Sequence, residues 1–575
     1  MKKYLILLLV TVSLSFYACE DMLDLSPTQN IHEEMVFQSE AMMRAYLNEL
    51  YWGIPSEFSY TYQVAPEWTS RATDEVFNNA RAGYIITTGS LNEDNVNTLS
   101  AMKLYIWNSS YQYIRKLNIF LNELENADFL MENKDQMVAE AKAIKAFIYF
   151  NLIIRFGGVP IVDDYWNLHD EKTFTSNTLE ECVTEIERLI AEAMPDLDEY
   201  YSGSSANYGK ICQDVLLALR SRMYLYLASP LFAELHNPNE SRATKWQRAA
   251  TAAEDFFSAT GNRYQLHPNY ARAFNNPNGV INPEFIFVKN FTETQGHNVP
   301  IDNLGRRYGG YSGWWASMGP SQNLVDDYDM QSTGLPPFIW NADGTKSVNH
   351  ASGYDPQNPY VDRDPRFYAT VIYDGAVYRG DLHEFWVSQD GKQWGQDSPL
   401  QNGDNPVGLH LMRKFAPDLD QEDLLWGKST ITYNFSRLGE IYLNYAEAMF
   451  ELGNEDVCRE YMNKIRARAQ MPDIPDTVTG EELRARLYNE RRIELAFEMH
   501  RYFDVRRWKI AHITENRDIY GAQIIKNMTT GEKTYSTVLR QVRKGSWDDR
   551  YYLLPIHRDE IQRNTGSLLQ TVTWR

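Results

Sequence analysis

The hydrophobic positions fall into two blocks of helical spacing, separated by a long stretch that keeps no period. In AKAIKAFIYFNLIIRFGGVPIV, residues Ala141–Val162, the apolar side chains of Ala143, Ala146, Phe147, Phe150 and Ile154 recur at three- and four-residue steps. That spacing predicts a helix, and Gly157, Gly158 and Pro160 predict its end. TLEECVTEIERLIAEAMPDL (Thr178–Leu197) and GKICQDVLLALRSRMYLYLASP (Gly209–Pro230) repeat the behaviour, each with a proline near its close, and WQRAATAAEDFF (Trp246–Phe257) adds an alanine-rich helix. Between residues 276 and 430 the pattern changes to short apolar alternations, such as FIFV (Phe285–Val288) and ATVIY (Ala369–Tyr373), set among Gly, Pro, Asn and Asp. Helices then resume. FSRLGEIYLNYAEAMFELG (Phe435–Gly453) puts Leu438, Ile441, Tyr442, Tyr445 and Met449 on one face, and VCREYMNKIRARA (Val457–Ala469) follows within a few residues. The pair has tetratricopeptide spacing, with Ala446 in the tight position of the first helix and Cys458, Met462 and Ile465 facing it from the second.

Within the aperiodic middle, RRYGGYSGWWASMGP (Arg306–Pro320) places Tyr308, Tyr311, Trp314 and Trp315 among glycines. Glycine at that density disfavours helix and strand, so the rings sit on a loop. Two adjacent residues of extended backbone point to opposite faces, which predicts one tryptophan in the core and one exposed. Trp386, Trp394 and Trp426 are further aromatic candidates.

The 575 residues carry a formal charge of -21, 43% apolar residues and 13% aromatics. Such an acidic balance excludes non-specific nucleic-acid binding, which needs a basic face to displace counterions. A mean hydropathy of -0.49 excludes a polytopic membrane protein. The leader MKKYLILLLVTVSLSFYACED has two lysines, an apolar run, and Ala18 directly before Cys19. It is similar to a bacterial lipoprotein signal over residues 1–18, with Cys19 as the acylated first residue of the mature chain. Glu20 and Asp21 then resemble a surface-export signal. Cys182, Cys212 and Cys458 are odd in number and widely spaced, so no disulfide framework and no zinc site is expected.

Several segments resemble, in order, the SusD/RagB family of outer-membrane nutrient-binding lipoproteins. The most specific are RLGEIYLNYAEA (Arg437–Ala448), YNERRIELAFEMHRYFDVRRWK (Tyr488–Lys509) and YYLLPIHRDEIQRN (Tyr551–Asn564). The two early helices already quoted, PSQNLVDDYDM (Pro320–Met330) and DPRFYATV (Asp364–Val371) extend the likeness over nearly the whole mature chain. Two details depart from the family pattern: Met499 stands where a glycine commonly follows Phe-Glu, and LLQTVTW lacks Asn-Pro-Gly before Trp574. The resemblance implies a mainly α fold, a tetratricopeptide-like helical-repeat scaffold with an irregular, loop-rich ligand-binding subdomain containing short strands. It divides the mature chain into an N-terminal helical region (19–275), the irregular region (276–430) and a C-terminal helical-repeat region (431–575).

The implied function is capture of an oligo- or polysaccharide at the cell surface and its delivery to a SusC-like, TonB-dependent transporter, without catalysis or cofactor. Trp314, Trp315, Tyr308 and Tyr311 would stack on sugar rings, and Asn78, Asn79, Arg81 and Tyr84, in RATDEVFNNARAGY, would add polar contacts and a further ring. Peptide binding on the same scaffold is the alternative. A glycoside hydrolase ranks third, because no HExxH, GxGxxG, Walker or GxSxG signature occurs in the mature sequence. The charged run Glu490, Arg491, Arg492, Glu494, Glu498, Arg501, Asp504, Arg506 and Arg507 is expected to form a structural ion-pair network between helices, since its spacing favours salt-bridge ladders.

Overall fold

Where the helical spacing is strongest, helices form. The computed structural model describes residues 37–58, 68–77, 83–164, 173–275, 280–308, 316, 318–341, 345–401, 406–416, 427–564 and 566–575. The first block holds α1 (Glu40–Leu50), α2 (Trp107–Asn126), α3 (Lys134–Phe156), α4 (Leu179–Ala193), α5 (Gln213–Ala228) and α6 (Arg242–Thr260). Helix α3 is buried on almost every face from Ala139 to Phe156, not along one stripe, because it runs through the middle of the largest core. It ends at Gly157, whose φ of 76° lies in the left-handed region and whose N–H donates to the Ile153 carbonyl. Helix α4 starts with a capping box: Thr178 accepts from the Glu181 N–H, and the Glu181 carboxylate accepts from the Thr178 N–H.

The second block holds α7 (Leu438–Glu451), α8 (Glu455–Arg468), α9 (Gly480–Glu494) and α10 (His500–Arg507). Ala446 packs in one cluster with Cys458, Met462 and Ile465, as the tetratricopeptide spacing predicts, and Leu483 and Leu487 of α9 close that cluster. The chain then returns to its beginning. Leu554 donates its N–H to the carbonyl of Arg155 at 2.8 Å, and Leu553, Leu554 and Trp574 join the core of the first block.

Short strands fill the stretch between: β1 (Phe285–Lys289), β2 (Phe338–Trp340), β3 (Lys346–Val348), β4 (Val371–Ile372), β5 (Val377–Tyr378), β6 (Asp381–Leu382), β7 (Val387–Ser388) and β8 (Leu411–Met412). Strand β9 (Tyr433–Arg437) runs antiparallel to β1 and leads directly into α7. The longest sheet is the hairpin of β10 (Ile519–Lys526) and β11 (Lys533–Gln541), with β7 parallel to β10. The ATVIY alternation is mostly not strand. Asp364 caps a short helix, Pro365–Thr370, by accepting from the Arg366 N–H at 2.8 Å, and only Val371–Ile372 pairs with β8. Proline at the first helical position preorganises that turn, and this outweighs the alternation.

The charged run is buried and finds most of its partners on other elements, with Arg507–Asp504 as a pair along its own helix. Arg437 donates to Glu284 at 2.6 Å, to Glu494 at 2.7 Å and to Glu498 at 2.8 Å. Arg366 reaches Glu490 and Glu494, Arg507 reaches Glu447 and Asp504, and Arg491 reaches Asp504. Three cysteines, Cys182, Cys212 and Cys458, are free and buried. Among the described residues no helix is long and apolar enough to cross a membrane, and no group of His, Cys, Asp and Glu is placed to hold a metal ion.

Candidate ligand-binding surface

The segment that precedes the Asn78–Tyr84 candidates and the segment that follows the tryptophan loop are joined to each other. Val76 forms an antiparallel bridge with Pro320. Ser321 donates its N–H to the Glu75 carbonyl at 2.8 Å and its hydroxyl to the Asp74 carbonyl at 2.6 Å, while the same hydroxyl accepts from the Leu324 N–H as an N-cap. Positions 247 residues apart therefore share one anchor.

That anchor is held from below by charge. Asp74 is buried and accepts from both Arg492 and Arg501. Burial works against its ionisation, but the two guanidinium groups outweigh it and hold the carboxyl well below its ordinary range. Arg543, fully buried, donates to the Thr73 carbonyl at 2.8 Å, and Gln541 donates to the Thr87 hydroxyl at 3.0 Å. The end of β11 thus ties residues 73–76 and the turn Tyr84–Thr87 to one another. Tyr84 itself is 43% exposed, so its ring is available at the surface.

The aromatic loop is pinned at both ends to one apolar cluster. Tyr308 at its start and Ala316 at its end pack against Tyr378, Leu411, Ala522 and Ile524. The Tyr308 hydroxyl lies 2.8 Å from His383 Nε2 and 3.2 Å from the Tyr378 carbonyl, and its ring meets Tyr378 edge-on at 5.3 Å. Burial raises its phenol pKa. Tyr308 is half-buried with its hydroxyl committed inside the protein, so any contact it offers a ligand is through the ring. Arg307 beside it donates to Asp397 at 3.0 Å and to the Leu382 carbonyl at 2.9 Å.

Trp314, Trp315, Tyr311, Arg81, Asn79, Asn78, Trp426 and the acylation candidate Cys19 lie outside the described residues. So does the expectation that one of the paired tryptophans is buried and the other exposed. Of the remaining tryptophans, Trp386 is buried, donates to Glu384 and lies 4.3 Å beneath Lys526, whereas Trp394 is 37% exposed. Sequence reasoning missed the clamp of Asp74 by Arg492 and Arg501 and the brace from Arg543. The only signal was an acidic pair, Asp74–Glu75, directly before the apolar Val76–Phe77.

A family model described as the SusD family matches residues 283–574, and a second, described as starch-binding associating with the outer membrane, matches residues 21–225. SusD-like protein P25 of Formosa agariphila is 23% identical over 529 residues, covering 89% of this chain and 90% of that protein. Among solved structures, a SusD-like carbohydrate binding protein from Bacteroides fragilis superposes with a TM-score of 0.71 at 24% identity, over 92% of this chain and 99% of the other. A laminarin binding SusD-like protein superposes with a TM-score of 0.63 at 18% identity, over 93% and 99%. With one family model spanning residues 283–574, more than half of the sequence, this chain belongs to the SusD family.

Proposed function

We propose that this chain is a cell-surface lipoprotein that captures an oligo- or polysaccharide and passes it to a TonB-dependent, SusC-like transporter in the outer membrane. The observation that carries the reading is the bridge between Val76 and Pro320, which brings the ends of both candidate loops to one place. Rings presented on such a surface suit a pyranose, whose C–H face packs on an aromatic plane while amide and guanidinium groups bind its hydroxyls. The carbohydrate-binding and laminarin-binding relatives support the ligand class. In this reading residues 276–430 carry the ligand site, the helical regions on either side form the scaffold, and the acyl chains on Cys19 hold the protein to the membrane facing outward. It assigns no catalytic step.

The test is migration of the mature chain, begun at Glu20, through native gels cast with a panel of polysaccharides, beside Trp314→Ala and Trp315→Ala. The expected result is retardation by one glycan that either substitution abolishes with the circular dichroism unchanged. Retardation that survives both substitutions would remove the tryptophan loop from the site. Co-purification of the acylated protein with a barrel transporter from native membranes tests the delivery step.

A further inference from the structure

A second pocket, of about 540 Å³, opens between the first half of α2 and the short helix Arg558–Arg563, and it shares no residue with the surface described above. Its floor is apolar: Trp107, Val162 and Leu568 are each less than a tenth exposed. One wall is a stripe of α2 at helical spacing, Asn108, Tyr111, Gln112 and Arg115. A stripe at i, i+3, i+4 and i+7 is ordinarily the face a helix buries against its neighbours. Here it carries two amides, a phenol and a guanidinium, and it faces open space.

The ring on that wall is held rigidly. The Tyr111 hydroxyl donates to the Pro160 carbonyl at 2.9 Å, and its ring leans on Trp107 with centroids 5.0 Å apart. The amides beside it are not committed: neither Asn108 nor Gln112 forms a side-chain hydrogen bond with a described residue, and both are exposed. Across the pocket, Arg563 pairs with Glu560 at 2.7 Å, and Asn564 is fixed by accepting from the Phe174 N–H and donating to the Glu560 carbonyl.

Among the described residues of the lining the charges balance, with Arg115 and Arg563 against Asp164 and Glu560. A pocket built for phosphate or for a peptide carboxylate would carry an excess of one sign. What remains is a neutral ligand with an apolar face and many hydroxyls, since an amide both donates and accepts and so matches a hydroxyl in either role. The volume falls within the usual range of small-molecule sites, about 300–1,000 Å³. We propose that this pocket is a second saccharide site, binding a short neutral oligosaccharide against Tyr111 through Asn108 and Gln112. The ligand class rests on the reading above, but the residues are separate.

Isothermal titration of the mature chain with maltohexaose, laminarihexaose, mannohexaose and xylohexaose tests it. Three proteins are compared: wild type, the double variant Asn108→Ala/Gln112→Ala, and the double variant Trp314→Ala/Trp315→Ala. Because Asn108 and Gln112 are exposed, the first variant is expected to keep the wild-type unfolding midpoint, and Asn108→Trp, which plugs the pocket, serves as an independent check. The expected result is two sites for one of the hexasaccharides in wild type. One of them should weaken at least tenfold in Asn108→Ala/Gln112→Ala and in Asn108→Trp, and persist in Trp314→Ala/Trp315→Ala. Binding that only the tryptophan substitutions weaken would overturn this inference and leave the main site standing. Binding that only the α2 substitutions weaken would support the pocket and move the main site away from the loop. No binding to any of the four sugars would overturn the pocket.

Discussion

Two sets of buried glutamates in this protein are driven in opposite directions. Beneath α9, burial raises the pKa of Glu494, but Arg468, Arg437 and Arg366 more than offset it and hold the group well below its ordinary value. Glu498 is likewise lowered, with burial outweighed by Arg437 and Lys414. Beneath the candidate ligand surface the balance reverses. Burial pushes Glu57 up to about 8 against the hydrogen bonds from Thr69, and burial together with the charge of Asp74 pushes Glu515 up to about 7 despite Arg543. Glu75 is raised too, chiefly by burial. Depth is the same in both sets; what differs is how many cations stand at contact distance. Glu494 and Glu498 are compensated by several cations, whereas Glu57, Glu75 and Glu515 are poorly compensated, although Asp74 beside them is well paired.

The largest effect should come from removing the hub of the first set. Arg437→Met leaves Glu284, Glu494 and Glu498 facing one another and should cost about 3–5 kcal/mol at pH 7, measured by urea unfolding. Glutamates with lowered folded pKa values supply stability above the unfolded value near 4.5 and lose it as pH falls through the folded value. The penalty should therefore shrink at pH 4, and a penalty that stays constant with pH would break the assignment.

Glu57 tests the other set. Its folded pKa lies above the unfolded one, so wild type loses stability as pH rises from about 4.5 to about 8. Glu57→Gln should match wild type at pH 5 and exceed it by about 2 kcal/mol at pH 9, since each tenfold change in the ionisation equilibrium is worth about 1.4 kcal/mol and solvent relaxation around the charged carboxylate discounts the total. Equal urea midpoints at both pH values would sink the contrast.

A smaller effect sharpens the picture of the scaffold. Met499 has a φ of 64° at the start of α10, where a side chain is strained. Met499→Gly should stabilise by about 0.5 kcal/mol in the same assay, the relief being partly offset by loss of the Tyr433 hydroxyl contact to its sulfur. The smallest change belongs to Trp394→Ala. Its half-open ring supports little, and the unfolding free energy should move by less than about 0.5 kcal/mol.

Local features of the fold were legible because they are written in neighbouring residues. Thr178 and Glu181 mark the start of α4, and Ala446 with Cys458, Met462 and Ile465 mark a helix pair. The family motif marked Met499 only as a departure; the structure adds that this replacement for the common glycine has a positive φ. Spacing also suggested a charge network in residues 490–507, but it could not name partners such as Asp74, Glu284 and Arg366, which come from distant chain positions. The same limit governs the site. Loop composition marked Tyr308 as a ring to present, but only tertiary contacts show its hydroxyl turned toward His383. Likewise the α2 stripe at Asn108, Gln112 and Arg115 reads in sequence as an ordinary wet face.

The brace from Arg543 sets when in synthesis the candidate surface can be completed. Its guanidinium holds the Thr73 carbonyl 470 residues earlier in the chain, so a growing polypeptide cannot make that contact until almost its last segment is available. Premature termination anywhere before β11 removes the brace and leaves residues 73–76 without their C-terminal support.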